Sequence, residues 1–125
     1  MSDVWPDYPD IVAAMIIVDC RDPQRLADFW GTLLGRRVTN DQPDVKGLEW
    51  SPRFGCGLVF QRVPEPKVGK NRVHFDMICE DMDAQIKRVE ELGGKRAEGY
   101  PTDRDFVVML DPEGNEFCLN PQPNG

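Results

Sequence analysis

The chain is poor in the residues and motifs that mark many common functional sites. Its 125 residues contain one histidine, His74, and no C-x-x-C pair, which disfavours a structural zinc knuckle. G-x-x-x-x-G-K, H-E-x-x-H and nucleophile-elbow motifs are absent. No apolar run approaches the roughly 20 residues that span a bilayer. The formal net charge is −7, which disfavours binding to nucleic acids and anionic membranes.

The remaining bulk properties are those of one globular domain, residues 1–125. The chain has 40% hydrophobic and 30% charged residues, which is ordinary for a protein of this length. The N-terminal stretch MSDVWPDYPD has neither the basic nor the apolar region of a secretory signal. We therefore expect a cytoplasmic protein whose four cysteines are reduced thiols.

The first half of the chain has the pattern of a strand, a helix and three strands. IVAAMIIVDC (11–20) is a continuous apolar run, typical of a strand buried on both faces. In DPQRLADFWGTLLG (22–35), Asp22 suits the N-cap, apolar residues recur at helical spacing and Gly35 suits the C-terminal cap. We expect Phe29 and Trp30 to pack on the outer face of the sheet. Short strands are predicted at 36–40, 46–51 and 56–63.

The same pattern restarts after PEPKVGKN (64–71), which we interpret as an exposed linker. RVHFDMIC (72–79) is a predicted strand and EDMDAQIKRVEELGG (80–94) a predicted helix. Three further strands are predicted at KRAEGY, DFVVML and NEFCLN, with the tight turn DPEGN before the last.

A shift of 59 residues superposes the two halves. It places the predicted cap Asp22 on Asp81 and the closing Gly35 on Gly94, and the apolar stripes of both helices coincide. The chain therefore consists of two tandem βαβββ units, at about 11–63 and 72–121. Each unit is too small to bury its own sheet. The predicted fold class is α+β, with the two sheets paired into an open cup or half-barrel.

Three segments resemble the vicinal oxygen chelate superfamily, which includes glyoxalase I, bleomycin-resistance proteins, fosfomycin-resistance enzymes and extradiol dioxygenases. DPQRLADFWGTLLG is similar to the family's first helical stretch, VHFDM…EDMDAQIKRVEELGGK to its counterpart in the second half, and FVVMLDPEGNEFCL to its closing hairpin. The sequence of these segments looks most like that of a glyoxalase-like subgroup of small bacterial proteins. The resemblance implies the duplicated fold, and it implies a homodimer because family members commonly pair.

The resemblance also implies a metal site with one ligand from the opening strand and one from the closing strand of each unit. The opening positions here are Met15 and His74, and the closing position of the second unit is Cys118. Its first-unit partner is Leu58 or Phe60. A register change of one residue would place Gln61 there instead. Because apolar side chains and Met do not hold hard divalent cations, we expect no metal and no other cofactor.

The single histidine has several interpretations. Asp76 lies two residues after His74 and would share its strand face, so the pair are candidate catalytic residues in acid–base chemistry. A nucleophile pair of Cys118 with His74 is a second interpretation, and a structural, hydrogen-bonded histidine is a third. The residues expected to contact a ligand in the cup are Met15, Trp50, Leu58, Phe60, His74, Asp76, Phe106 and Cys118.

The predicted function is the binding of a small, partly apolar molecule in the cup between the repeats, without the family's full metal site. One alternative is a metal-dependent lyase, isomerase or dioxygenase-type enzyme, in which His74 acts with Cys118, Asp76 or Glu116. Another is a metal-free enzyme with His74 as general base.

Overall fold

The computed structural model describes residues 14–50 and 56–123, and these form two four-stranded sheets and two helices. The first half contains β1 (Met15–Cys20), α1 (Pro23–Leu34), β2 (Val38–Gln42), β3 (Val45–Leu48) and β4 (Gly57–Arg62). The second half contains β5 (Phe75–Cys79), α2 (Met82–Glu91), β6 (Lys95–Arg96), β7 (Val107–Leu110) and β8 (Glu116–Pro121). Each half therefore has the order β-α-β-β-β, as the internal repeat predicts.

The predicted elements are all present, although several bounds differ. Residues 11–13 of the first predicted strand and residue 51 of the third lie outside the described residues. The strand predicted at 72–79 is shorter than expected, and β5 begins at Phe75. His74 therefore lies immediately before the strand rather than on it, although it still adjoins the strand's first residue.

The two helices begin in the same way. The carboxylate of Asp22 accepts a hydrogen bond from the backbone N–H of Arg25 at 3.1 Å, and that of Asp81 accepts one from Ala84 at 3.1 Å. Both are N-caps, as predicted. Gly35 ends α1 with a φ of 68°, a left-handed conformation that glycine adopts without strain. The 59-residue offset therefore holds at the N-caps but not at the closing glycines, because α2 ends at Leu92 and the glycine with positive φ that follows it is Gly93 rather than Gly94.

The sheets have matching strand orders, β1-β4-β3-β2 and β5-β8-β7-β6. In each, the first strand pairs in parallel with the last strand of its unit, and the other pairs are antiparallel. Within the described residues neither sheet closes into a barrel. The fold is therefore α+β with two tandem units forming an open cup, which confirms the predicted fold class.

Strand register divides the first sheet into a face covered by helices, the helix face, and an opposite face, the cup face. Ile16 lies beside Leu58 and Val18 beside Phe60, and all four belong to or pack against the hydrophobic core. Met15, by contrast, is 52% exposed. Since side chains alternate along a strand, Met15 lies on the cup face.

This register corrects one expectation. Leu58 and Phe60 are expected to line the cup, but they are 5% and 0% exposed and pack in the hydrophobic core, where Leu58 also borders a cavity that His74 and Asp76 line. The cup-face residue of β4 is Val59, which lies beside Ile17 of β1. Because consecutive residues of β4 are apolar, its composition alone does not indicate which of its alternating side chains face the cup.

The second sheet divides in the same way. Phe75 lies beside Phe117 on the helix face, and both contribute to the core. Asp76 lies beside Cys118 on the cup face, and Val108 lies beside Cys118 on its other side. The cup faces of both sheets therefore point away from one shared core.

Trp30 of α1 joins the two units. It is 1% exposed, as expected for a residue on the outer face of the sheet, and its ring lies 5.4 Å from that of Phe75 and 4.8 Å from that of Phe117. Its Nε1–H donates to Oδ2 of Asp111 at 3.0 Å, and Asp111 is itself 3% exposed. A buried indole N–H and a buried carboxylate thus satisfy each other across the junction.

The DPEGN turn before β8 completes this junction. Oδ1 of Asp111 accepts hydrogen bonds from the backbone N–H groups of Glu113 and Asn115, at 2.9 and 3.0 Å. The carboxylate of Glu113 accepts from the backbone of Arg21 and Asp22, at 2.8 and 2.7 Å. A turn of the second unit therefore caps the segment that leads into the first helix.

The linker between the units is attached to β8 through Glu116, which is 8% exposed. Its carboxylate pairs with Nζ of Lys67 at 2.8 Å and accepts a hydrogen bond from the backbone N–H of Asn71 at 2.9 Å. Burial acts to raise the pKa of Glu116, but the bonds from Lys67 and Asn71 outweigh it and hold that pKa below 4.5. Glu116 is therefore ionised at neutral pH.

None of the four cysteines forms a disulfide, and each of them lies in the described part of the chain. Between residues 14 and 123, with 51–55 left aside, neither helix has the length and apolar character needed to cross a membrane.

We predict that Trp30→Phe lowers the free energy of unfolding by about 1–3 kcal/mol or more, because the smaller ring leaves part of the buried indole's space empty and Asp111 loses a donor. Urea unfolding followed by circular dichroism measures the loss. In a double-mutant cycle with Asp111→Asn, the two effects should be less than additive. Strict additivity would show that the two side chains act independently.

We predict that Glu116→Gln lowers the free energy of unfolding at neutral pH by about 1–3 kcal/mol. The folded-state pKa of Glu116 is lowered, so its stabilisation is present above 4.5 and is lost as the pH falls through the folded-state pKa. The difference between wild type and variant should therefore shrink below pH 4.5. Unfolding curves across this range test the prediction.

The matched control for Glu116 is Glu90→Gln, on an exposed position of α2. It should change stability by less than about 0.5 kcal/mol at any pH. An equal response of both variants to pH would contradict the role assigned to Glu116.

Candidate functional site

A cavity of about 350 Å³ lies on the cup face of the second unit. It is lined by Lys70, His74, Asp76, Tyr100, Phe106, Val108, Glu116, Cys118 and Asn120. Four of the residues expected to contact a ligand come together here, namely His74, Asp76, Phe106 and Cys118, and Glu116 of the metal-dependent alternative joins them. They are separated by up to 44 positions along the chain, so the pairing of β5, β7 and β8 brings them together.

Three polar side chains form the floor of this cavity. Nε2 of His74 lies 3.5 Å from Oδ1 of Asp76. Cys118 is the neighbour of Asp76 on the adjacent strand. One donor atom from each of the three lies within 4.8 Å of the other two. The structure thus places an imidazole, a carboxylate and a thiol in one small cluster.

The thiol of Cys118 is held in its protonated form. Burial raises its pKa above the ordinary value of 9.0, and the charge of Asp76, with a hydrogen bond between the two side chains, raises it further. The charge of Lys70 lowers it by less. Because the thiolate is the reactive form, this environment argues against Cys118 and His74 as a nucleophile pair.

The wall of the cavity is apolar and aromatic. Phe106 is 38% exposed, and Val108 behind it is buried. Nζ of Lys70 lies 5.6 Å from the ring centre of Tyr100, close enough for a cation–π contact. The cavity therefore offers a flat apolar surface beside a polar floor, with one cation at its rim. Such a combination is usual in small-molecule sites.

Sequence reasoning missed some of these residues. Tyr100 and Lys70 lie in segments interpreted as a short strand and a linker. Both residues lie outside the strands of the structure, so the alternation of side chains along a strand does not predict where they point. Val108 and Asn120 were inside predicted strands but were not singled out. The pairing of Val108 with Cys118 was the available signal, and it required the strand register.

Met15 and Trp50 lie together on the first unit, at the end of β4. A side chain at Gly57 would collide with Sδ of Met15, and its Cβ would lie 3.3 Å from Cδ1 of Trp50. Gly57 thus leaves the space that these two side chains occupy. Neither lines the 350 Å³ cavity.

A second cavity lies at the seam, the boundary between the two units, and is lined by residues of both. It measures about 340 Å³, and its lining includes Gly57 from the first unit and both His74 and Asp76 from the second. His74 and Asp76 of the polar floor therefore line the seam cavity as well as the second-unit cavity. Met15 lies next to the seam, because its side chain lies beside Gly57.

The four-ligand metal site implied by the resemblance does not fit these residues. The register makes Val59 the first-unit counterpart of Cys118, because Val59 lies beside Ile17 as Cys118 lies beside Asp76. Its companion on β1 is Met15. These two first-unit positions provide no oxygen or nitrogen for Mg²⁺, Mn²⁺ or Fe²⁺. Any cation in the cup would depend on the second unit alone.

Solved structures with the same fold were found among proteins of low sequence identity. A glyoxalase/bleomycin resistance protein/dioxygenase family enzyme from Burkholderia phytofirmans PsJN has a TM-score of 0.69 at 17% identity, over 86% of this chain and 96% of that one. The fosfomycin resistance protein FosX from Listeria monocytogenes has a TM-score of 0.70 at 13% identity, over 92% and 94%.

A third similar structure is described as the oxidase ChaP-H2, with a TM-score of 0.65 at 19% identity over 94% of this chain and 98% of that one. Identities this low show a shared fold and leave the chemistry open. A comparison with curated protein sequences gave no match.

A model of one protein family matches most of the chain. The matched residues are 15–120, and the family is described as a glyoxalase-like domain. This range includes both βαβββ units and every residue of the polar floor. The chain therefore belongs to the family of glyoxalase-like domains.

Proposed function

We propose that this protein binds a small, partly apolar molecule in the cup, with the second-unit cavity as its main contact surface. The observation that carries the proposal is the meeting of an apolar wall at Phe106 and Val108 with the polar floor of His74, Asp76 and Cys118. Orientation of a ligand requires a few polar groups against an otherwise apolar surface.

The exposed apolar side chains support the same surface. Met15, Ile17 and Ile78 are 52%, 56% and 66% exposed, and all three lie on the cup face with Phe106. Exposed apolar side chains on the same face of both sheets are typical of a binding surface, whereas scattered ones need no explanation. A ligand seated there would cover both sheets.

The charges around the cavity indicate the polar character of the ligand. Asp76 is within 3.5 Å of His74, and Glu116 is already paired with Lys67. Lys70 has no carboxylate partner among the described residues, and it lies at the rim beside Tyr100. A neutral or singly negative molecule with a planar apolar part matches this arrangement.

Binding is favoured over covalent catalysis by the state of the thiol, since Cys118 is held protonated beside Asp76. The similar structures do not decide between the two, because they include resistance proteins and an oxidase. The alternative of a metal-dependent enzyme is supported by one observation, the cluster of His74, Asp76 and Cys118.

We expect the chelator-treated protein to bind 8-anilinonaphthalene-1-sulfonate, a planar dye with a single negative charge, at one site per chain. Phe106→Ala should weaken binding about tenfold, because about 1.5–3 kcal/mol is available from burying such a side chain and only part of it is buried on binding. Fluorescence titration measures the affinity.

Val68→Ala is the matched control. Val68 is 89% exposed and does not line the second-unit cavity, although the cavity beside the linker that it lines also includes His74. It should leave dye affinity unchanged. Equal affinity of the wild-type and Phe106→Ala proteins, or weaker binding only in Val68→Ala, would rule out the second-unit cavity as the binding surface.

A further inference from the structure

We propose that the cavity beside the linker is a second binding site, which takes a zwitterionic molecule with aliphatic side chains, such as a short apolar peptide with free termini. This cavity, the linker groove, measures about 600 Å³ and lies between the linker, residues 16–19 of β1 and residues 71–75. Only His74 and Glu116 of its lining also line the second-unit cavity. The inference therefore goes beyond the proposed function and does not depend on it.

The linker that forms one wall of the groove is attached at both of its ends. The backbone N–H of Val63 donates to the carbonyl of Cys20 at 2.8 Å, which holds the start of the linker to the end of β1. Near its other end, the carboxylate of Glu116 pairs with Lys67 at 2.8 Å and accepts from the backbone N–H of Asn71 at 2.9 Å. Because these bonds form without a ligand, little of the binding free energy is needed to order the groove.

The exposed apolar surface of the groove is aliphatic. Ile17, Val68 and Val73 line it and are 56%, 89% and 74% exposed. They are three of the six exposed large apolar side chains in the part of the chain that the structure describes. An aliphatic side chain that covers them would remove apolar surface from water on both partners.

The groove also contains charges of both signs that lack ion-pair partners. Among the described residues, neither the guanidinium of Arg72 nor the carboxylates of Asp19 and Glu65 form an ion pair. The other titratable side chains of the lining already have partners, namely Lys67, His74, Asp111 and Glu116. A ligand would therefore meet one available cation and two available carboxylates.

This combination of charges selects a zwitterion. A simple anion would pair with Arg72 but would be repelled by Asp19 and Glu65, and a simple cation would be repelled by Arg72. A molecule with both a carboxylate and an ammonium group can satisfy both sides, since arginine binds a carboxylate through two parallel hydrogen bonds. A short aliphatic peptide carries both charges at its termini and has the side chains that the apolar wall requires.

The test is isothermal titration of the full chain with leucyl-leucine. Saturable binding of one peptide per chain is expected, with a Kd below about 1 mM. N-acetyl-leucyl-leucine lacks the ammonium group and leucyl-leucine amide lacks the carboxylate. Each should bind at least about tenfold more weakly, because one side of the groove is then left without its charged partner.

Arg72→Gln identifies the group that binds the carboxylate. It should weaken leucyl-leucine about tenfold and leave the affinity for leucyl-leucine amide nearly unchanged, since only the carboxylate loses a partner. Arg104→Gln is the matched control, because Arg104 is an exposed arginine outside the groove lining, and it should bind leucyl-leucine as the wild type does. Circular dichroism shows whether each variant is folded.

Three results would overturn the proposal. They are a folded wild-type protein without saturable binding of leucyl-leucine, equal affinities for the three peptides, and unchanged leucyl-leucine affinity in folded Arg72→Gln. The first two need no variant. Phe106→Ala should bind leucyl-leucine normally, and the peptide should not displace 8-anilinonaphthalene-1-sulfonate. Displacement would place the peptide in the second-unit cavity and would also overturn the proposal, whereas failure of the dye to bind would overturn only the proposed function.

Discussion

The indole of Trp30 belongs to the first unit, but its surroundings belong to the second. Its ring packs against Phe75 and Phe117, which are neighbours on paired strands, and its N–H donates to the buried carboxylate of Asp111. Either polar group would be costly to bury alone, so the bond restricts where one unit can sit on the other. The cup depends on this restriction, because Phe75 and Phe117 lie directly beside His74 and Cys118 in sequence.

The two units have the same fold but different surfaces. The positions that face the cup on β1 and β4 are occupied by Met15, Ile17 and Val59, whereas Asp76 and Cys118 occupy the matching face of β5 and β8. The family to which the chain belongs therefore fixes the scaffold, and the substitutions on one sheet determine which chemistry remains. In this chain all of the cluster's donors are on the second sheet.

Much of the fold was predictable from local signals. The caps Asp22 and Asp81, the left-handed Gly35 and the 59-residue repeat gave both helices and the order of the strands, because each is a short-range effect of backbone geometry. The duplicated architecture followed from these signals and from the resemblance. The bounds of short strands were less well predicted, since their ends depend on pairing with distant segments.

The site was predicted in part for the same reason. Spacing and the closing-strand position predict His74, Asp76 and Cys118. Leu58 and Phe60 lie on the core side of β4, and of these two Leu58 alone borders a cavity with His74 and Asp76. Applying the 59-residue offset to Cys118 gives Val59, so the repeat itself contained the correct register. The contributions of Lys70 and Tyr100 depend on the path of loops, which no local pattern determines.

The apolar character of the first sheet has an evolutionary consequence. Exchanges among Met, Val and Ile at Met15, Ile17 and Val59 alter the shape of the wall opposite the polar floor without introducing or removing a charge. Such exchanges would reshape which molecules fit while the polar cluster of the second unit stays as it is. The duplicated fold in this way places the apolar wall and the polar cluster on different units, so that one can change shape without altering the charges of the other.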